Sequence, residues 1–107
     1  MCYLVGMEIW EGLQNLGFSA AHAGTRYLCD CIRIYEDSAG RAKLTEIYDL
    51  IAERYHKGAS AVGKAMKYAL DRALLAGGKE EFWGRLSHDR GTPTVREFVA
   101  AFAVYRA

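Results

Sequence analysis

Cations concentrate in one part of this 107-residue chain, at a spacing that suits contact with phosphate groups. Residues 54–79 have a net charge of +5, whereas residues 1–53 are net −4 and residues 80–107 are neutral, so the formal total of +1 hides a strong segregation. Phosphate contacts supply most of the non-specific affinity of proteins for DNA, which makes this segment the first candidate for a DNA-binding surface. The alternative is a chance cluster on a near-neutral protein. The candidate cations are Lys57, Lys64, Lys67 and Arg72.

Other side chains capable of chemistry are scattered along the chain. His22, His56 and His88 fall in separate segments, and the sequence has no glycine-rich phosphate loop, nucleophile elbow or paired-carboxylate motif. Acidic neighbours such as Asp30 with Glu36 fit a solvated helix face. We therefore expect neither an enzyme nor a small-molecule substrate.

The three cysteines do not suggest a disulfide framework, because their number is odd and two of them have C-x-C spacing within a helical pattern. At that spacing Cys29 and Cys31 point in different directions, so we expect no metal and no other cofactor. The N-terminus lacks the features of a signal peptide, and no apolar run reaches membrane-spanning length. The sequence thus predicts a cytoplasmic protein with reduced thiols and no membrane partner.

The basic segment coincides with a pattern typical of a helix-turn-helix. Ala52 is a small residue in the middle of a first helix, where a second helix needs to cross closely. The turn falls at His56-Lys57-Gly58, and Val62 is the branched apolar residue expected at the crossing. An ordinary helical hairpin in a small bundle, with solvated lysines, is the alternative.

The second helix of this motif, predicted from Ala59 to about Ala76, has two distinct faces. One face is an apolar stripe at three-and-four spacing, formed by Val62, Ala65, Met66, Ala69, Leu70, Ala73 and Leu74. The remaining surface carries Ser60, Ala61, Gly63, Lys64, Lys67, Tyr68, Asp71 and Arg72. Near its N-terminus this surface is short, polar and basic, as expected of a helix that enters a DNA major groove.

The chain as a whole predicts a single all-α domain over residues 1–107, built as a compact bundle of about six helices. Few β-branched runs or alternating stretches are present, and the only proline is Pro93. Gly77-Gly78 is expected to end the fourth helix, and Thr94 with Glu97 has the form of a capping box that opens the sixth. The predicted helices are Met7 to Leu16, Ala20 to Glu36, residue 42 or 43 to Tyr55, Ala59 to Ala76, Lys79 to Leu86, and a last helix that begins at the capping box.

The residues from Leu44 to Gly77 resemble a known family. The stretches LTEIYDLIAERY and ASAVGKAMKYAL, and the later TPTVREFVAAFA, follow the order and spacing of the C-terminal DNA-binding effector domain of stage-zero sporulation protein A, a sporulation response regulator. The resemblance covers nearly the whole chain. It implies six helices with the recognition helix fourth, transcriptional regulation through double-stranded DNA, and a homodimer on tandem sites.

The resemblance also implies that Ala59 to Tyr68 lies in the major groove, where this chain departs from the family. Ala61 and Gly63 stand where the family typically has arginine and glutamate, and Lys64 replaces a second arginine. Lys67-Tyr68 replaces an arginine-histidine pair, whereas Ser60 is retained. A bidentate arginine contact is worth about 1–3 kcal/mol of base discrimination, so we expect altered or relaxed sequence specificity.

The alternative function is a degenerate effector domain that acts as a protein-interaction module without DNA binding. Its surface would come from Phe98, Phe102 and Tyr105, or from Trp10 and Tyr3, although each of these aromatics also fits a core. Nothing in the chain resembles the receiver domain of the full regulator, so the chain is either an excised domain or a free-standing protein. Because the leading MCYLVG leaves no room for a linker before the predicted first helix, we expect the free-standing protein.

Overall fold

The computed structural model describes residues 2–76, 80–86 and 93–106, with the backbone alone for residues 2–8, 80 and 106. Its described part contains helices and no strand, which confirms the predicted all-α class and six-helix count. The helices are α1 (Cys2–Asn15), α2 (Ala23–Asp37), α3 (Leu44–Tyr55), α4 (Ala59–Ala76), α5 (Glu80–Leu86) and α6 (Val95–Arg106). No helix in these ranges combines the length and the apolar character of a membrane span.

Two predicted helix starts are wrong. α1 begins at Cys2 instead of Met7, because no proline interrupts the N-terminal residues and a helix tolerates Gly6 at a cost of about 1 kcal/mol. α2 begins at Ala23 instead of Ala20, because Ser19 forms a turn: its hydroxyl accepts the N–H of Ala21 at 3.1 Å. The predicted stop at Gly77-Gly78 and the predicted start at Lys79 lie outside the described residues.

α2 packs against α1, α3, α4 and α6, and its most extensive contact is with α4. The two helices approach so closely at Gly24 that a Cβ there would overlap the carbonyl oxygen of Ala65 and lie 3.0 Å from the Cβ of Ala69. Only glycine permits this backbone separation. The buried side of α4 consists of Val62, Met66, Ala69, Leu70 and Ala73, all from the predicted stripe, while Ala65 and Leu74 are half-buried.

The α3–α4 pair has the geometry expected of the helix-turn-helix. His56 adopts a left-handed conformation with φ 57°, and the N–H of Lys57 donates to the Ala52 carbonyl at 2.9 Å. Gly58 precedes the first turn of α4, where its carbonyl accepts the N–H of Val62 at 3.0 Å. Val62 is fully buried and Ala52 half-buried, as expected of an apolar and a small residue that face the core.

An aromatic cluster joins α5 and α6 to the segment after α1. Phe98 lies 5.7 Å from Trp83 and 5.1 Å from Phe18, measured between ring centroids. The indole N–H of Trp83 donates to the Leu16 carbonyl at 3.2 Å. At the start of α6 the predicted capping box is present, since the Thr94 N–H donates to Glu97 at 2.9 Å and the Glu97 N–H donates to the Thr94 hydroxyl at 3.1 Å.

Candidate nucleic-acid interface

The outward side of α4 carries most of the residues that the sequence predicts to contact DNA. Its N-terminal half presents Ser60, Ala61 and Lys64, all of them exposed. Because α2 and α3 hold the opposite side of the helix in the core, this short and basic surface is fixed in orientation. Lys57 in the preceding turn and Arg72 two turns beyond Lys64 are also exposed. The positive charge of the segment therefore reaches the surface at both ends of the exposed face.

Tyr68 extends this face toward α2. Its ring is 54% exposed and meets His22 edge-on, with ring centroids 5.3 Å apart. The contact supports the phenol ring while more than half of the residue remains exposed. Farther along α4 the surface changes character, because the half-buried Asp71 is acidic and the exposed Leu75 is apolar. The surface suited to an anionic ligand is thus the N-terminal half of α4.

Lys67 occupies the edge of the same helix and is already engaged within the protein. Its ammonium donates to the Pro93 carbonyl at 3.0 Å and lies 3.0 Å from the Asp71 carboxylate. The side chain is only 39% exposed. Lys67 therefore ties α4 to the segment that leads into α6, a contact that sequence reasoning did not foresee.

Gly63 faces α3 rather than the outward side of α4. A Cβ at this position would lie 3.2 Å from Cε2 of Tyr48, which is tighter than ordinary van der Waals contact. Tyr48 is half-buried, and burial raises the pKa of its phenol to about 12. This placement gives Gly63 a packing role at the crossing of α3 and α4. A direct contact between Gly63 and DNA stays a prediction.

A buried acidic residue anchors the end of α3, and sequence reasoning missed it. Asp30 was expected on a solvated face, but it is only 7% exposed and accepts the hydroxyl of Tyr55 at 2.6 Å. Guanidinium nitrogens of Arg54 and Arg33 lie 3.5 and 3.8 Å from its other oxygen. Burial, followed by the hydrogen bond to Asp30, raises the pKa of Tyr55 to about 12. The expectation of solvation is wrong because these residues lie 25 positions apart in the chain.

This cluster fixes the turn that precedes α4. Tyr55 is the last residue of α3, and its ring packs against Tyr27 of α2 with centroids 5.0 Å apart. His56 and Lys57 follow directly. The hydrogen bond from Tyr55 to Asp30 therefore positions the start of the exposed basic face relative to α2.

Comparison with known families gives one match over almost the whole domain. The family described as sporulation initiation factor Spo0A C terminal matches residues 9–105. The chain belongs to this family. The Spo0A C-terminal family is one of DNA-binding effector domains that regulate sporulation genes, and it is not a family of enzymes. A search of solved structures gives no match.

Two cysteines of this Spo0A C-terminal domain lie in α2 and are inert. Cys31 is fully buried, and burial together with the negative Asp30 raises the pKa of its thiol to about 12. Burial also raises the pKa of Cys29. Both stay protonated near neutral pH, so neither is a thiolate nucleophile. Within the described ranges, no group of three or more His, Cys, Asp or Glu residues could hold a metal ion.

Most of the aromatic side chains suggested for a protein-interaction module are buried or half-buried, and the side chain of Tyr3 lies outside the described part of the structure. Phe98 and Phe102 are fully buried, and Trp10 is half-buried. Tyr105 is 39% exposed but packs against Phe82 with ring centroids 5.2 Å apart. These aromatics therefore belong mainly to the core.

Proposed function

We propose that this domain binds duplex DNA by placing the N-terminal half of α4, residues 59–68, in the major groove. The observation that supports this most is the fixed outward face of α4, which combines Ser60, Ala61, Lys64 and Tyr68. An α-helix fits the major groove of B-DNA, which is about 12 Å wide. The regulator acts on chromosomal DNA in the cytoplasm, and two copies occupy adjacent sites, as in the effector domains that it resembles.

Each exposed residue has a contact suited to its chemistry. Lys57 and Arg72, at the two ends of the basic face, bind backbone phosphates. Lys64, at the centre of the face, reaches a base edge or a phosphate as a point charge. The Ser60 hydroxyl forms a hydrogen bond with the DNA, and the methyl group of Ala61 packs against the methyl group of thymine.

Sequence discrimination is altered or relaxed relative to a recognition helix that contacts bases through long side chains. Ala61 is too short for a bidentate contact, which is worth about 1–3 kcal/mol against a wrong base. Gly63 lies against Tyr48 and supports the crossing of the helices. Lys67 is bound to Pro93 and Asp71, so its ammonium approaches DNA from the edge of the helix.

A salt titration of DNA binding tests the proposal. The affinity of the unmodified domain for a short duplex should fall steeply as salt rises, because bound cations displace counterions. Lys64→Ala should weaken binding and reduce the slope of log K against log salt by about 0.9 if Lys64 touches a phosphate. Lys64 is a better position for this test than Lys67, because substitution of Lys67 would also break its contacts with Pro93 and Asp71.

The matched control removes one charge outside α4 and the turn before it. Arg85→Ala changes an exposed arginine of α5 that pairs with Glu81 on its own helix at 3.0 Å. Its affinity should match that of the unmodified domain.

Selection of bound sequences from random DNA should yield a short consensus with poor discrimination. Absence of binding at low salt, or equal losses for the two variants, contradicts the proposal.

A further inference from the structure

A second concentration of positive charge lies around a cavity that α4 does not line. The end of α2, the start of α3 and the first turns of α6 surround an open space of about 440 Å³. Three exposed cations line it, Arg41, Lys43 and Arg96. Its described lining includes no carboxylate. In the part of the chain that the structure describes, these three cations take part in none of the ion pairs.

The segment that leads into α6 links this cavity to the edge of α4. Lys67 of α4 donates to the carbonyl of Pro93 at 3.0 Å, which places the start of α6 beside the recognition helix. Arg96 is three residues farther along, so its Cα lies within about 11 Å of the Cα of Pro93. A duplex whose major groove holds α4 would therefore bring one flanking strand toward the cavity.

The position of the cations is unfavourable for the helices themselves. Arg96 is the second residue of α6, and Lys43 directly precedes Leu44, the first residue of α3. The positive end of the helix dipole disfavours cations at both places. Helix initiation does not need them, because Glu97 accepts the Thr94 N–H at 2.9 Å and Glu46 accepts the Lys43 N–H at 3.2 Å. Cations that oppose local stability are expected at a binding site.

We propose that Arg41, Lys43 and Arg96 bind a backbone phosphate of the DNA strand that flanks the groove occupied by α4. The inference rests on the proposed function, because it needs α4 to be in the groove. It adds a phosphodiester site built by α3 and α6, outside the recognition helix. The site contributes affinity and fixes the orientation of the domain, whereas base discrimination remains with α4.

The test compares charge-removing variants that keep the fold. Arg41→Gln and Arg96→Gln are combined, and affinity for a short duplex is measured between about 50 and 200 mM salt. The slope of log K against log salt should decrease by about 0.9 if the pair holds one phosphate and by about 1.8 if it holds two. The control variant, Arg85→Gln, should keep the original slope. Thermal unfolding of the Arg41/Arg96 variant should show an undiminished Tm.

The outcomes separate this site from the proposed function. If the unmodified domain binds DNA and the Arg41/Arg96 variant has the same slope, the inference is overturned and the proposed function remains intact. Absence of binding by the unmodified domain overturns both. A third arm compares inorganic phosphate with chloride at equal ionic strength. If phosphate raises the Tm through Arg41 and Arg96 while the DNA slope stays unchanged, the cavity takes free phosphate and the DNA assignment is wrong.

Discussion

The hydroxyl of Tyr55 is one atom on which the position of the α3–α4 turn depends. It donates at 2.6 Å to Asp30, a carboxylate that is almost fully removed from water. Tyr55→Phe removes this donor, and the remaining described contacts of Asp30 are the two longer ones to arginine. A hydrogen bond to a charged group contributes about 1.5–3 kcal/mol, so the free energy of unfolding at pH 7 should fall by an amount in that range. Urea denaturation measures it.

The same bond should have a signature at alkaline pH. The pKa of Tyr55 is raised from 10.0 to about 12 in the fold, so folding favours the neutral phenol. This stabilisation is complete below pH 10 and is lost as pH rises toward 12. The stability difference between the original protein and Tyr55→Phe should shrink over that range. Tyr105→Phe, which removes a hydroxyl without a described hydrogen bond, should change little at either pH. A difference that is independent of pH would contradict the assignment.

At the scale of elements, local patterns predicted some helices well and others poorly. α4 was predicted with the bounds it has, because Gly58 marks its start and its apolar stripe is regular. The start of α2 was wrong because Ala20-Ala21 favours a helix by composition, whereas the Ser19 turn decides the backbone there. A side chain that caps a turn competes with helix formation, and this competition depends on geometry that propensity does not contain.

The close crossing of α2 and α4 could not be predicted at all. Nothing in the local sequence distinguishes Gly24 from any other glycine in a helix. In the fold, however, it is the point where the backbone of Ala65 approaches α2. Gly24 and Ala65 are far apart in the chain, so no local pattern connects them. The candidate surface on α4 was predictable from its own periodicity, whereas the helix contacts that orient it were not.

Gly24→Ala should therefore be strongly destabilising. The added methyl group would overlap a backbone carbonyl, which cannot rotate away as a side chain can, so α2 and α4 would have to separate. Overpacking typically costs 1–3 kcal/mol, and we expect a loss of about 3 kcal/mol or more here. Denaturant unfolding measures the change.

The matched control is the same substitution at a glycine with open space. A Cβ at Gly84 in α5 would meet nothing within 4 Å. Gly84→Ala should stabilise the protein by about 0.5–1 kcal/mol, because alanine loses less backbone entropy in a helix. If both substitutions changed stability in the same direction, the close approach at Gly24 would not be the cause.

At the scale of the whole molecule, contacts between distant segments decide what the surface can do. The cavity formed by Arg41, Lys43 and Arg96 joins residues from two helix starts that are about 50 positions apart. The charge tally of the sequence had placed the positive charge on residues 54–79 alone, because it counted only neighbours in the chain. Folding brings cations from the acidic first half and the neutral last part around one cavity.

The fold should unfold as a single unit, since the aromatic cluster links α5 and α6 to the helices that carry the basic face. Trp83 is buried against Phe98, and α6 also contacts α2 and α4. In a Trp10→Phe variant, Trp83 is the only tryptophan and reports on the packing of α5 within the aromatic cluster. Its fluorescence transition in urea should coincide with the loss of helical circular dichroism, as in a two-state domain. Phe98→Leu should lower both midpoints together, because it should reduce the free energy of unfolding by about 1–3 kcal/mol. A fluorescence transition that precedes the loss of helix would show that α5 detaches first and that the basic face is held by α1 to α4 without it.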